Sequence, residues 1–471
     1  MNKLGASIVH SSRISFWLVF LLYVLLNTFL LIIVEPSLHL TEGADADSWY
    51  SPALALLEYG SFVTLSSPET LMTYRPPLYP LFEAITLWVG GGEIIPIIIA
   101  QVILLWVTGV IAGRIVRLYL PRYEIISIVL FVFNPNALGS AHLIQSDTLY
   151  VFFIVLAMWA LVQYINTSNK LKWSIIIGII LGISCLVRPT GQYLIILLPV
   201  IFFIINIFSG NKEIFFNSML HGVIGVVLSV IMIFPWVLHN EEAGWGYVLV
   251  TSEPKTFYLR DNAIYLEKNQ HGISIEQATD IILNDEKNYI ITNDHWFYMS
   301  DKEKADELVI YYMKKLISYP IAVIFESYLD SWIGFFGGGG GANFQNLLSL
   351  DGKRSFEESM RNNYSGRLEV ALKIFTESSL VAILISVYSY FYVILLRILG
   401  LIGIIEIYKR KEYSLLVIVV GLILYFAITV LFVGTSRYRL PTEIGLIMLA
   451  LYGILFFYNK MQIKNKLKIR K

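Results

Sequence analysis

A single cysteine, Cys185, stands in a chain of 471 residues, so neither an intrachain disulfide nor a cysteine-based metal site can form. Charge is scarce as well. Only 15% of residues are Asp, Glu, Lys or Arg, against roughly 25% in soluble domains. The 35 basic residues are balanced by 35 acidic ones, so no net field draws in a polyanion and a nucleic-acid binder is excluded. The seven histidines are dispersed, with no His-x-x-x-His or comparable pair for zinc. The glycine run Gly337–Gly341 lacks the Lys-Ser/Thr of a phosphate loop. What is abundant is apolar: 56% of residues are hydrophobic and 14% aromatic, with a mean hydropathy of +0.66, arranged in long blocks. Disorder and a coiled coil are thereby excluded. An all-α polytopic membrane protein remains.

A helix needs about 20 apolar residues to cross roughly 30 Å of hydrocarbon. The first candidate is Ile14–Val34, too long for a signal peptide and read as an uncleaved anchor. Later blocks run over 93–113, 123–142, 147–165, 173–187, 191–209, 218–238, 376–405, 413–433 and 441–458. With a shallow or re-entrant first part in 77–113, these make about ten crossings. Lys and Arg cluster at 114–122, 170–172, 212, 409–411 and in the C-terminal tail, which the positive-inside rule assigns to the cytoplasm together with the N-terminus. Segments 35–76, 142–147, 188–190, 240–375 and 434–440 then share the outer face, facing the periplasm or cell exterior from an inner or plasma membrane. Three regions follow: an N-terminal transmembrane module, 1–239, with its first outer loop at 35–76; an extracytoplasmic region, 240–375; and C-terminal helices with a basic tail, 376–471.

In the first outer loop, Asp45 and Asp47 precede apolar residues at Ala53, Leu56 and Leu57, the spacing of a short interfacial helix with an aspartate near its N-cap. One aspartate capping the helix and the other solvated is the plain alternative to a catalytic pair. Tyr50 lies within the helix, and Tyr74-Arg75-Pro76-Pro77 stiffens the chain at re-entry, since proline fixes φ and lacks an N–H.

These residues resemble the opening of the GT-C superfamily of integral-membrane glycosyltransferases, nearest the branch of protein O-mannosyltransferases and lipid A aminoarabinose transferases. Three later stretches fit the same pattern: Asn134-Pro135 followed by Ser146-Asp147-Thr148-Leu149-Tyr150, then Leu186-Val187-Arg188-Pro189-Thr190-Gly191, and Ser436-Arg437-Tyr438-Arg439-Leu440-Pro441. Matching motifs run from about residue 43 to about 455, with 240–375 unmatched. The resemblance implies an inverting transfer of sugar from a polyprenyl-phosphate donor to a glycan, lipid or protein acceptor on the non-cytoplasmic face. It implies a catalytic base at Asp45, with Asp47 in reach of a small register shift. Ala46 stands where the aminoarabinose branch has a second acidic residue. No cofactor is required, and Asp45 with Asp47 is the candidate divalent-cation site.

The other candidates carry two readings each. Arg437 and Arg439, with Tyr438 between them, either clamp the lipid phosphate through their guanidinium forks or snorkel to headgroups. Arg75 and Arg188 are further candidate phosphate ligands, and Arg188 is equally suited to a structural ion pair with Asp147. His142 reads as a plain interface histidine. Within 240–375, helical spacing appears at Ile275–Asn284 and Asp301–Ser318, and Ser318–Phe336 looks amphipathic and interfacial, with Glu326 and Asp330 on one face. The glycine run reads as a linker or a gate. Two other classes compete with a glycosyltransferase. A transporter or flippase of lipid-linked glycans would show paired halves, which are lacking here. A glycan polymerase or ligase shares a large outer loop, but not the early Asp and Arg-Pro-Pro.

Overall fold

The computed structural model describes residues 3–40, 44–208, 215–348 and 379–469. It is an all-α polytopic architecture whose only strands among these residues form a small hairpin, Val63–Thr64 with Ser67–Leu71. Helix α1 (Lys3–Ile33) leads into α2 (Ala44–Tyr59), α3 (Leu78–Val89) and α4 (Ile95–Tyr119). Then come α5 (Glu124–Val132), α6 (Pro135–Ala141), α7 (Asp147–Asn166), α8 (Lys170–Cys185), α9 (Gln192–Phe208) and α10 (Phe215–Glu242). An outer group follows with α11 (Ser252–His271), α12 (Ile275–Thr292), α13 (Asp301–Ser318), α14 (Ile321–Gly337) and α15 (Ala342–Leu347). The chain closes with α16 (Leu380–Lys409), α17 (Tyr413–Thr429), a helical turn at Ser436–Arg439, and α18 (Glu443–Ile469).

Among the described residues, seven helices are long and apolar enough to cross a membrane, or up to nine if each of two bent pairs is one span. The expected ten are therefore not all present as straight spans. The block 123–142 breaks by 55° between α5 and α6. The cause is local: Pro135 cannot donate to the helix ladder, and the Asn134 side chain caps the new helix by accepting from the Asn136 and Ala137 amides. Helices α8 and α17, at 16 and 17 residues, stop short of a full crossing. The 77–113 stretch does split as expected, into a 12-residue α3 and a 25-residue α4.

Helix α2 is not a free interfacial helix. Ala46, Trp49, Ala53 and Ala55 are buried, and both aspartates lie inside its first turn rather than capping it. In the outer group, α12 and α13 each begin with a capping box, Ser274 with Gln277 and Ser300 with Glu303, which fixes where they start. Across Pro320 the chain turns by 101° into α14. The glycine run is neither linker nor gate. Gly338–Gly341 are buried, and a Cβ at Gly340, which holds φ +77°, would strike Asn136 of α6. Residues 349–378, the last part of the expected outer region, lie outside the described residues.

Candidate functional site

A cavity of about 230 Å³ opens where the predicted outer segments converge. Its walls draw Trp49 from α2, Tyr74 and Arg75 from the re-entry turn, Arg188 from the α8–α9 connection, Asp261 from α11 and Tyr438 from the turn before α18. Four prolines stand around it, Pro76, Pro189, Pro254 and Pro441. Each fixes φ and brings no N–H needing a partner, so the rim is stiff. Segments up to 392 positions apart, from Trp49 to Pro441, meet here.

The basic wall is anchored on one carboxylate. Asp147 opens α7, where the helix N-terminus favours negative charge. Its side chain is 2% exposed; Oδ1 accepts from Arg188 Nη1 at 2.6 Å and Oδ2 from Arg437 Nε at 2.8 Å. Arg188 Nε also donates to Ser146 Oγ at 2.9 Å. The ion pair read from the sequence for Arg188 is thus present, and it is shared. A phosphate about 5 Å from either guanidinium would meet about 3 kcal/mol of attraction at an effective dielectric of about 20. Arg188 and Arg437 keep 16% and 23% of their side chains exposed, so neither is sealed from a ligand.

Arg75 adds a third cation. It lies 4.4 Å from the Trp49 ring centroid and 5.0 Å from that of Tyr74, and its Nε donates to Ser48 Oγ at 2.9 Å. Stacking on two rings and a hydroxyl holds the guanidinium plane in one orientation.

Arg439 is a correction. It was grouped with Arg437 as a phosphate ligand, but it is fully buried and turned away from the cavity. Its Nε pairs with Glu443 at 2.7 Å, and Nη1 donates to the carbonyls of Phe335 and Gly338 at 2.6 and 2.8 Å. It ties the end of α14 to the start of α18. Tyr74 and Tyr438 line the cavity as candidates should, whereas Tyr50 packs into the bundle, where burial and the nearby Glu83 and Glu93 raise its phenol above the ordinary value. His142 is no interface residue: it is buried, with Nε2 2.9 Å from Asn27 Oδ1.

Asp47 is exposed. Asp45 occupies the first turn of α2, one helical turn before the cavity residue Trp49, and its side chain lies outside the described residues. Among the described residues no three His, Cys, Asp or Glu side chains converge as a metal site. Sequence reasoning missed Trp49, Thr190, Tyr258 and Asp261. Trp49 could have been found, since it follows Asp45 by four on the same helical face. Asp261 carried no local signal.

A family model described as dolichyl-phosphate-mannose-protein mannosyltransferase matches residues 74–239. No curated protein matches the chain. Among solved structures, the apo oligosaccharyltransferase of Archaeoglobus fulgidus is similar at 14% identity, over 90% of this chain and 48% of that one, with a TM-score of 0.49. The same organism's AglB, in complex with an inhibitory peptide and a dolichol-phosphate, gives 12% identity, 91% and 48% coverage and a TM-score of 0.45. ArnT from Cupriavidus metallidurans, bound to undecaprenyl phosphate, gives 12% identity, 92% and 77% coverage and a TM-score of 0.38. The chain spans about half the length of the archaeal enzyme.

Proposed function

From a chain that resembles the GT-C membrane glycosyltransferases, with the mannosyltransferase family match over residues 74–239, we propose an inverting transfer of sugar from a polyprenyl-phosphate donor to an acceptor on the non-cytoplasmic face. The observation that carries this reading is buried Asp147, which pairs with Arg188 of the cavity lining and with Arg437, the residue before the lining Tyr438. A lipid phosphate seated there is both bound and activated as a leaving group, because guanidiniums stay charged while negative charge grows on it. Arg188 and Arg437 supply the forks, and Arg75 adds a third guanidinium to the cavity. The aromatic lining from Trp49, Tyr74, Tyr258 and Tyr438 offers apolar faces to the sugar ring.

The acceptor attacks the anomeric carbon from the side opposite the phosphate. Its proton passes to a carboxylate, the new glycosidic bond forms, and the bond to the phosphate oxygen breaks with its electron pair. Asp45 is the proposed base, at the start of α2 one turn from the cavity. The outer-face position is supported by the Lys/Arg distribution, since Trp49, Tyr74, Arg75, Arg188, Asp261 and Tyr438 of the cavity belong to the segments opposite the basic connections.

The test is sugar transfer by the purified chain, measured beside binding of undecaprenyl phosphate, for Asp45→Asn and Asp47→Asn. Asp45→Asn should lose at least about 10²-fold in rate, the contribution of a positioned general base, and still bind the lipid phosphate. Asp47→Asn should be milder. An active Asp45→Asn beside a dead Asp47→Asn moves the base by two residues; two active variants remove the first loop from the chemistry.

A further inference from the structure

A second, much smaller cavity, about 10 Å³, lies behind the Asp147 anchor. Among its lining residues are Thr108, Phe131, Ser140, Thr148, Leu440 and Glu443, and all of these are buried. Three polar atoms there make no hydrogen bond to any protein group: Ser140 Oγ, Thr148 Oγ1 and Glu443 Oε2. The remaining hydroxyl, Thr108 Oγ1, is already committed to the Leu104 carbonyl at 2.7 Å. Buried polar atoms are almost always satisfied, so three orphans around one space call for a shared partner.

Size and charge identify that partner. The space is that of about one water molecule. The other Glu443 oxygen is paired with Arg439 at 2.7 Å, and the charge of Arg397 acts on both residues, leaving two cations against one carboxylate. That surplus repels a metal cation. A neutral molecule with two donors and two lone pairs suits two hydroxyls and a carboxylate oxygen.

We propose that one buried water molecule fills this cavity, bonded to Ser140, Thr148 and Glu443, and that it holds the arginine clamp in register. The connectivity gives it that role. Thr148 directly follows Asp147, the anchor of both clamp arginines. Glu443 grips Arg439, two positions from Arg437, and Ser140 belongs to α6, the helix created by the break at Pro135. The water thus joins α6, α7 and α18 beneath the larger cavity, and its three partners are positioning residues.

Thr148→Val keeps the side-chain shape and deletes the hydroxyl, while Thr148→Ile also fills space. Both are expected to lower the melting temperature of the purified full chain by several degrees, because Glu443 Oε2 loses its shared partner. Thr148→Ser, which restores the hydroxyl, should recover most of the loss. A dry cavity would respond with the opposite sign, since removing an orphaned hydroxyl relieves it, so a rise in melting temperature for either variant overturns the water.

The positioning role rests on the donor reading of the larger cavity and is read separately, as affinity for undecaprenyl phosphate. Thr148→Val should bind about three- to tenfold more weakly, with Thr148→Ser near the parental value. Unchanged affinity in Thr148→Val overturns the positioning role. If the parental chain binds no undecaprenyl phosphate, that role and the donor reading fall together, while the melting curves still decide the water.

Discussion

Arg437 and Arg439 are two positions apart on one helical turn, and about 100° per residue sends their side chains to nearly opposite sides. Arg437 reaches Asp147, which it shares with Arg188 of the cavity lining; Arg439 turns into the bundle, where it binds Glu443 and two carbonyls. Their variants should therefore fail differently. Arg439→Met breaks the buried pair with Glu443, a loss of about 3–5 kcal/mol, and should appear as a strong drop in melting temperature. Arg188→Ala keeps Asp147 paired with Arg437 but removes one guanidinium from the cavity lining. It should weaken undecaprenyl phosphate binding by about tenfold or more, with a smaller change in melting temperature, measured by titration in detergent. Equal binding loss in both variants, with equal stability, would mean that the two arginines are equivalent.

At the scale of elements, the close joints are made by glycine and proline rather than by large side chains. Helices α16 and α18 cross where Gly403 meets the Leu449 backbone and Gly453 meets that of Leu399, the small-residue contact that lets membrane helices approach closely. Gly340 does the same for the run after α14. Its φ of +77° disfavours any side chain, and Asn136 occupies the place where a Cβ would go. Gly340→Ala should cost at least about 1–2 kcal/mol from the left-handed backbone alone, with the clash added. Gly337→Ala is the control, because a Cβ there meets nothing within 4 Å. Thermal melts of the two variants check this; a mobile hinge at the glycine run would leave both unchanged. The joint matters for the site, since Arg439 binds the Phe335 and Gly338 carbonyls on either side of Gly337.

At the scale of the whole molecule, α11 of the outer group lines the cavity together with loop and span residues, so the side of the membrane that holds the outer group bears on the cavity as well. Tyr298, 88% exposed between α12 and α13, is the reporter. In a Cys185→Ser background, Tyr298→Cys should react with a membrane-impermeant maleimide on intact cells, whereas Lys411→Cys should react only after permeabilisation. The reverse pattern would invert the topology and put the cavity in the cytoplasm. The outer group also brings its own wall to the site: Pro254, Tyr258 and Asp261 of α11 face residues from the transmembrane loops.

Much of this was written along the chain. Apolar blocks of span length, basic connections and helical spacing are local signals, and they predicted the helical class, the split of α3 from α4, and helices α12 and α13. The Arg-Pro and Asp-containing motifs marked most of the polar cavity wall, because proline stiffness and arginine chemistry are properties of the residues themselves. Other features arose only when distant segments packed. That Asp147 binds two arginines, 41 and 290 positions away, depends on three loops meeting. That Arg439 binds the end of α14 while Arg437 joins Arg188 on Asp147 depends on how these segments pack. The break at Pro135 had a local cause, but whether a proline kinks a span or ends it is settled by what satisfies the freed backbone, here the Asn134 cap. Sequence sets which chemistry is available at each position. Direction and partnership belong to tertiary packing, because a charge inside a membrane protein is tolerable only where another segment arrives to meet it.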